Sequence, residues 1–219
     1  MGKTKTFISA IPFQGKDGLK KLTYEPCGNS RLKYEATRFP IIPVINGYTE
    51  AGDKVRIIAI LTDGENFRYN YETYFIGEID SIIKEKDLSF DGIEEIPTAD
   101  SEDIETQLKL FADIIAKIGD DEELYACITY GTKPTPIVQF MALNYAYRLK
   151  KGTSVGCVAY GRFLHKGEGG LGVGCIYDQT ALFYMDSTVN KLAEHGAPDP
   201  ERAIRIMLDL DSGEEAGDE

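Results

Sequence analysis

The chain has 219 residues, 42% hydrophobic and 27% charged, with a net charge of −12. This composition excludes a disordered chain and a coiled coil, and the length suits one α/β domain with additions. The negative balance argues against duplex nucleic acid as a partner, because duplex binding displaces counterions with many Lys and Arg.

Residues 1–40 nonetheless hold eight basic side chains against three acids, which leaves room for a small anionic ligand there. No apolar run reaches the roughly 18 residues of a membrane span, and the opening Met1–Thr6 has no signal-peptide core. A cytoplasmic location without membrane contact is therefore expected. Cys27, Cys127, Cys157 and Cys175 lack C-x-x-C spacing, so neither a disulfide framework nor a zinc site is expected, and no cofactor is read.

Taken in order, residues 4–11 read as a strand ended by Pro12, and the polar stretch from Gln14 to Tyr34 reads as a loop. Residues 35–50 read as partly helical around Pro40 and Pro43. The aliphatic run Lys54–Leu61 predicts a strand buried on both faces, as in a parallel sheet. A helix over 68–86 and a strand over 90–96 follow. A second helix opens at Asp100 or Ser101 and presents Ile104, Leu108, Phe111, Ile115 and Ile118 as one apolar face.

Glu123–Thr129 predicts a strand, Thr135-Pro136 an N-cap and first turn, and residues to Lys150 a helix apolar nearly all round, suited to burial or an interface. Ser154–Tyr160 is a further strand, and 171–186 reads as a hairpin or edge strand. Short helices near 188–195 and 200–209 precede an acidic tail. The alternation implies right-handed βαβ units, hence a Rossmann-like open, mostly parallel sheet with helices on both faces. Ligands of such sheets bind at the carboxyl ends of strands.

Two strand ends carry suitable chemistry. Ser9-Ala10-Ile11-Pro12-Phe13-Gln14 leads small and hydroxyl residues into an aromatic turn. Thr129-Tyr130-Gly131-Thr132-Lys133 joins a strand to a helix N-terminus, whose N–H groups and dipole suit a phosphate, while Gly131, Pro134 and Pro136 also serve simply to shape the connection.

Cys127-Ile128-Thr129-Tyr130-Gly131, then Pro134 and an apolar helix, then Val155-Gly156-Cys157-Val158-Ala159-Tyr160-Gly161, resemble the signature region of the DxTHG family of CRISPR-associated proteins. The likeness extends over about residues 4–190. Thr129 and Gly131 are retained, while Cys127 stands where the motif has Asp and Tyr130 where it has His. The resemblance implies a CARF domain over 1–190 that binds cyclic oligoadenylate, tetra- or hexaadenylate, across a two-fold homodimer in antiviral defence, with 191–219 as short helices and tail. Ser9, Pro12, Phe13, Gln14, Thr129, Tyr130, Gly131, Thr132 and Lys133 are the expected ligand contacts, Phe13 or Tyr130 packing on an adenine. Lys133 and Ser9 are the candidates for metal-independent ring opening. The alternatives are a sensory module of a larger effector without its own catalysis, or a generic nucleotide-binding Rossmann-like protein.

Gly167-x-Gly169-x-x-Gly172 matches a dinucleotide fingerprint but precedes a strand rather than a helix, so it reads as a hairpin loop. His165 and His195 lack the Arg spacing of HEPN ribonucleases. The acidic pairs, such as Glu94-Glu95 and Asp120-Asp121, read as solvated surface, with no metal-ligand pattern.

Overall fold

The computed structural model describes residues 2–15, 18–166 and 172–208. The Gly167-x-Gly169-x-x-Gly172 loop and the acidic tail fall outside the described residues, save Gly172. In chain order the strands are β1 (Thr4–Ala10), β2 (Leu22–Cys27), β3 (Glu35–Thr37), β4 (Lys54–Thr62), β5 (Ser89–Thr98), β6 (Glu122–Cys127), β7 (Ser154–Lys166) and β8 (Gly172–Asp178). The helices are α1 (Ile41–Tyr48), α2 (Glu65–Asn70), α3 (Ile76–Glu85), α4 (Ile104–Lys117), α5 (Thr135–Leu149), α6 (Thr180–Glu194) and α7 (Pro200–Met207). A π-helical turn, Tyr71–Phe75, joins α2 to α3 without a break.

The strands form one sheet of order β3-β2-β8-β7-β6-β1-β4-β5, in which β5, β4, β1, β6 and β7 run parallel. This is a Rossmann-like α/β fold. Aliphatic strands build it because both faces are covered. Phe7, Ile57, Tyr125 and Cys157 belong to one core with residues of α1 and α3, and the alternate residues Ile8, Ile58, Leu124 and Val158 are buried on the opposite face. Phe7 and Tyr125 stack with ring centroids 4.6 Å apart.

Near the amino ends of the strands, Arg56 Nη2 donates to both carboxylate oxygens of Glu122 at 2.7 and 2.9 Å. Glu122 also accepts from Thr6 Oγ1 at 2.8 Å and from the Gly119 N–H at 3.0 Å, so this largely buried carboxylate is fully engaged.

The first half of β7 pairs with β6 and the second half with β8, with Ala159 at the changeover. Residues 161–166 thus extend past the carboxyl end of β6, and β8, β2 and β3 continue from them as a four-stranded flange. Two expectations change here. The expected loop from Gln14 to Tyr34 contains β2, which pairs with β8 in parallel, Leu22 opposite Gly172. Cys27 and Cys175, 148 positions apart, are disulfide-bonded with Cα atoms 6.0 Å apart, because β2 lies against β8. No local spacing announces such a pair.

Other boundaries shift for local reasons. The helix expected within 35–50 starts only at Ile41, after β3, and tolerates Pro43 because first-turn N–H groups have no helical acceptor. Asp103, not Asp100 or Ser101, caps α4, its carboxylate accepting from the Thr106 N–H at 2.8 Å. The buried face of α4 is Gln107, Leu110 and Ile114, continued by Ile118 just beyond its end, whereas Ile104 is 72% exposed and Leu108 is exposed with it. Residues 180–186, expected in a hairpin, belong to α6. The described residues up to Thr180 form one compact unit. In a second, from Ala181, α6 and α7 frame an apolar groove of about 380 Å³ and Asp199 caps α7.

Candidate functional site

In this sheet the strand order reverses between β1 and β6, where Ser9 sits opposite Cys127 in register. Crossovers leave β1 and β6 in opposite directions, so a crevice opens above their carboxyl ends. Both sequence-predicted segments emerge there. Two adjoining cavities of about 350 Å³ each occupy the crevice and share Gln14, Thr129 and Tyr130 as a dividing wall. One lies between the Pro12–Gln14 turn, Phe67, Asp100 and the Gly131-Thr132 turn. The other runs to the foot of the flange, against Leu19, Lys20, Leu22, Tyr24, Gly161 and Phe163.

The dividing wall is rigid for identifiable reasons. Tyr130 Oη donates to the Arg38 carbonyl at 2.8 Å, and its ring is partly buried against the core. Burial, with Tyr24 and its hydroxyl beside it, holds the Tyr130 phenol well above its ordinary range. Thr129 Oγ1 accepts the Gly161 N–H at 2.8 Å and lies 3.1 Å from Cys127 Sγ, which hooks the end of β6 onto β7. Cys127 is fully buried, and burial pushes its thiol up to about 11.

The following turn is equally constrained. Gly131 has φ of 106°, and a Cβ there would lie 2.7 Å from the Thr135 side chain, so glycine is required. The hydroxyls of Thr132 and Thr135 meet at 3.0 Å, and the Thr135 N–H donates to the Thr132 carbonyl at 3.0 Å. The cap residue of α5 is accordingly Pro134 rather than Thr135. Lys133 is exposed, and its N–H points at the Glu102 carboxylate, 3.4 Å away.

Pro12, Phe13, Gln14, Thr129, Tyr130, Gly131 and Thr132 therefore line the crevice; Lys133, the next residue, is exposed and belongs to the lining of neither cavity. Ser9 does not line them either. It is fully buried within β1 and its hydroxyl donates to the Ala10 carbonyl at 3.2 Å. Phe13 is 62% exposed, and its ring leans on Phe67 with centroids 5.3 Å apart.

Sequence reasoning missed Lys20, Tyr24, Phe67, Asp100, Gly161 and Phe163, which arrive from separate elements. Only the Tyr160-Gly161 strand end carried a signal. Arg38, whose carbonyl accepts from Tyr130, has its guanidinium engaged by the Leu19 carbonyl at 3.1 Å, by Glu78 at 2.8 Å and by the Tyr74 ring face. Among the described residues, no group of three or more His, Cys, Asp or Glu stands where it could hold a metal ion, and no helix is long and apolar enough to cross a membrane.

Comparison with protein-family models and with curated proteins returned no match to this chain.

The start of α5 does not offer the expected N–H cradle, because residues 134 and 136 are prolines, the Lys133 N–H points at Glu102, and the Thr135 and Ile137 N–H groups donate to the Thr132 and Pro134 carbonyls. What the arrangement offers is hydroxyl and amide side chains, Lys20, and the rings of Phe13, Tyr24, Phe67, Tyr130 and Phe163. These are the groups that bind phosphates, ribose hydroxyls and flat bases.

Proposed function

We propose that this chain is a receptor for cyclic oligoadenylate, a tetra- or hexaadenylate ring bound across a homodimer, acting in the cytoplasm in type III CRISPR defence. The observation that carries this reading is the pair of adjoining cavities at the β1/β6 switch point. They are walled by the two segments on which the DxTHG resemblance rests, Pro12–Gln14 and Thr129–Thr132. Two seats side by side suit successive nucleotides of a ring. Phe13, Tyr130 and Phe163 supply faces for bases, and Lys20 supplies charge for phosphates.

A second support concerns the dimer. Helices α4 and α5 pack side by side and leave Ile104, Leu108, Ile137 and Met141 exposed, an apolar set on the two helices that flank the Thr132-Lys133 turn. Pairing over that set brings two copies of the turn toward one axis, so one ring meets both. Ser9 is fully buried within β1, which argues against one of the two residues expected for ring opening. The reading is accordingly of a sensor.

Calorimetry with cyclic tetra- and hexaadenylate tests it. One ring per two chains is expected, and no heat from either ring with folded protein overturns it. Incubating protein in excess with each ring in EDTA tests the enzymatic alternative, and a linear product identifies a ring nuclease.

A further inference from the structure

We infer that Asn70 is a positioning residue that holds the Phe13 ring at the crevice; this rests on the crevice being the ligand site. Asn70 ends α2 and is fully buried. Its Nδ2 donates to the Pro12 carbonyl at 2.9 Å and to the Gln14 carbonyl at 2.8 Å, so both amide hydrogens are spent on carbonyls of the residues on either side of Phe13. Ile11 still bonds to the sheet, its N–H donating to Ile60 at 3.0 Å. Past Ile11 the turn leaves the sheet, and Asn70 grips it from below.

Core packing does not account for this residue. Asn70 Oδ1 is buried without a hydrogen-bond partner, a cost that an apolar side chain would avoid. What the asparagine supplies instead is a fixed path for residues 12–14. The helix is adapted to deliver it. An uninterrupted α-helix that buries Ile79 and Ile82 would turn Glu72 and Arg68 inward at the same three-to-four spacing, yet both are substantially exposed. The π-turn adds a residue and rotates the preceding face, bringing Phe67, Asn70 and Tyr71 inward. Phe67 then supports the Phe13 ring while Asn70 holds the carbonyls on either side of it.

A double-mutant cycle tests the inference. Asn70→Ala, Phe13→Ala and the double variant are compared by calorimetry with cyclic tetra- and hexaadenylate, by amide hydrogen exchange of the turn, and by thermal unfolding. Phe13→Ala weakens binding about 5- to 150-fold if the ring carries a base. Asn70→Ala speeds exchange of the turn and weakens binding about five- to tenfold, and the double variant binds no worse than Phe13→Ala alone. A purely structural role lowers the unfolding midpoint without this non-additivity, so additive losses overturn the inference, as does unchanged exchange of the turn. If Asn70→Ala does not fold, Asn70→Ser, which keeps one donor, enters the same cycle. If the wild type binds neither ring, the functional reading fails, and turn exchange alone decides the clamp.

Discussion

Tyr130→Phe separates what the Tyr130 hydroxyl does from what its ring does. The hydroxyl donates to the Arg38 carbonyl at 2.8 Å in a partly buried setting. Removing it loses one hydrogen bond and leaves that carbonyl without its donor, at a cost of about 1–2 kcal/mol, the lower part of the range for an unsatisfied buried group. For a domain of this size each kcal/mol moves the midpoint by about 2–4 °C, so a fall of roughly 2–8 °C is expected. The ring stays, and cyclic oligoadenylate affinity should change less than about twofold. Tyr130→Ala removes the shelf as well, and stacking worth about 1–3 kcal/mol per base predicts a loss of about 5- to 150-fold. Thermal unfolding and calorimetry on the same preparations read both numbers. A Tyr130→Phe variant that loses more than about tenfold in affinity with an unmoved midpoint refutes the reasoning, since the hydroxyl would then face the ligand and not Arg38.

Under denaturing, non-reducing conditions two of the four cysteines should react with a maleimide, and Cys27→Ser should lower stability by up to about 5 kcal/mol, the chain entropy released by cutting a link across 148 positions; four reactive thiols would refute the link. Arg56→Ala leaves the largely buried Glu122 carboxylate without its cation and should cost about 3–5 kcal/mol in urea unfolding, and a loss under 1 kcal/mol would show that the pair behaves as a surface bridge. Burial pushes the Cys127 thiol from 9 up to about 11 and the Tyr24 phenol from 10 up to about 12. Folded values above unfolded ones mean that the linked stability is complete below roughly pH 9 and is lost as pH rises toward 12, so the midpoint should fall over that window; a midpoint flat across it contradicts the assignment. If two copies pair over α4 and α5 as proposed, light scattering should find a dimer that Met141→Glu converts to monomer; a monomeric wild type or an unchanged dimer overturns that pairing.

The parallel part of the sheet was legible because its signal is local. Lys54–Leu61 and Glu123–Thr129 are aliphatic runs that only a sheet covered on both faces can use, and both are strands of that kind. The two crevice segments were legible for the same reason, as breaks where such runs end in Pro12 and Gly131. What failed was long-range or depended on which side of an element faces inward. Leu22–Cys27 has no aliphatic run and becomes a strand only because β8 offers it an edge. Cys27 and Cys175 were read as unrelated for the same reason. The α4 stripe from Ile104 to Ile115 has helical spacing, but spacing does not say which face meets the sheet, and Gln107 turns inward in place of Leu108. Composition places Ser9 at a strand end, whereas the fold buries it fully within β1 and outside the lining of both cavities. Asn70 gave no signal, being one polar residue in a helix whose register a π-turn resets.

The flange also fixes the order in which the molecule can be finished. β2 is among the first segments made, yet its parallel partner, beginning at Gly172, lies 150 positions later. During synthesis the five-stranded parallel portion can close once β7 has emerged, while β2 has only the short β3 to pair with and no edge of the main sheet to join. Contacts of such separation form late, since loop closure must precede them. One of the two cavities takes Leu19, Lys20, Leu22 and Tyr24 from β2 and the residues just before it, so a partially synthesised or C-terminally clipped chain would hold a folded half-sheet with only the Phe13 side of its crevice built.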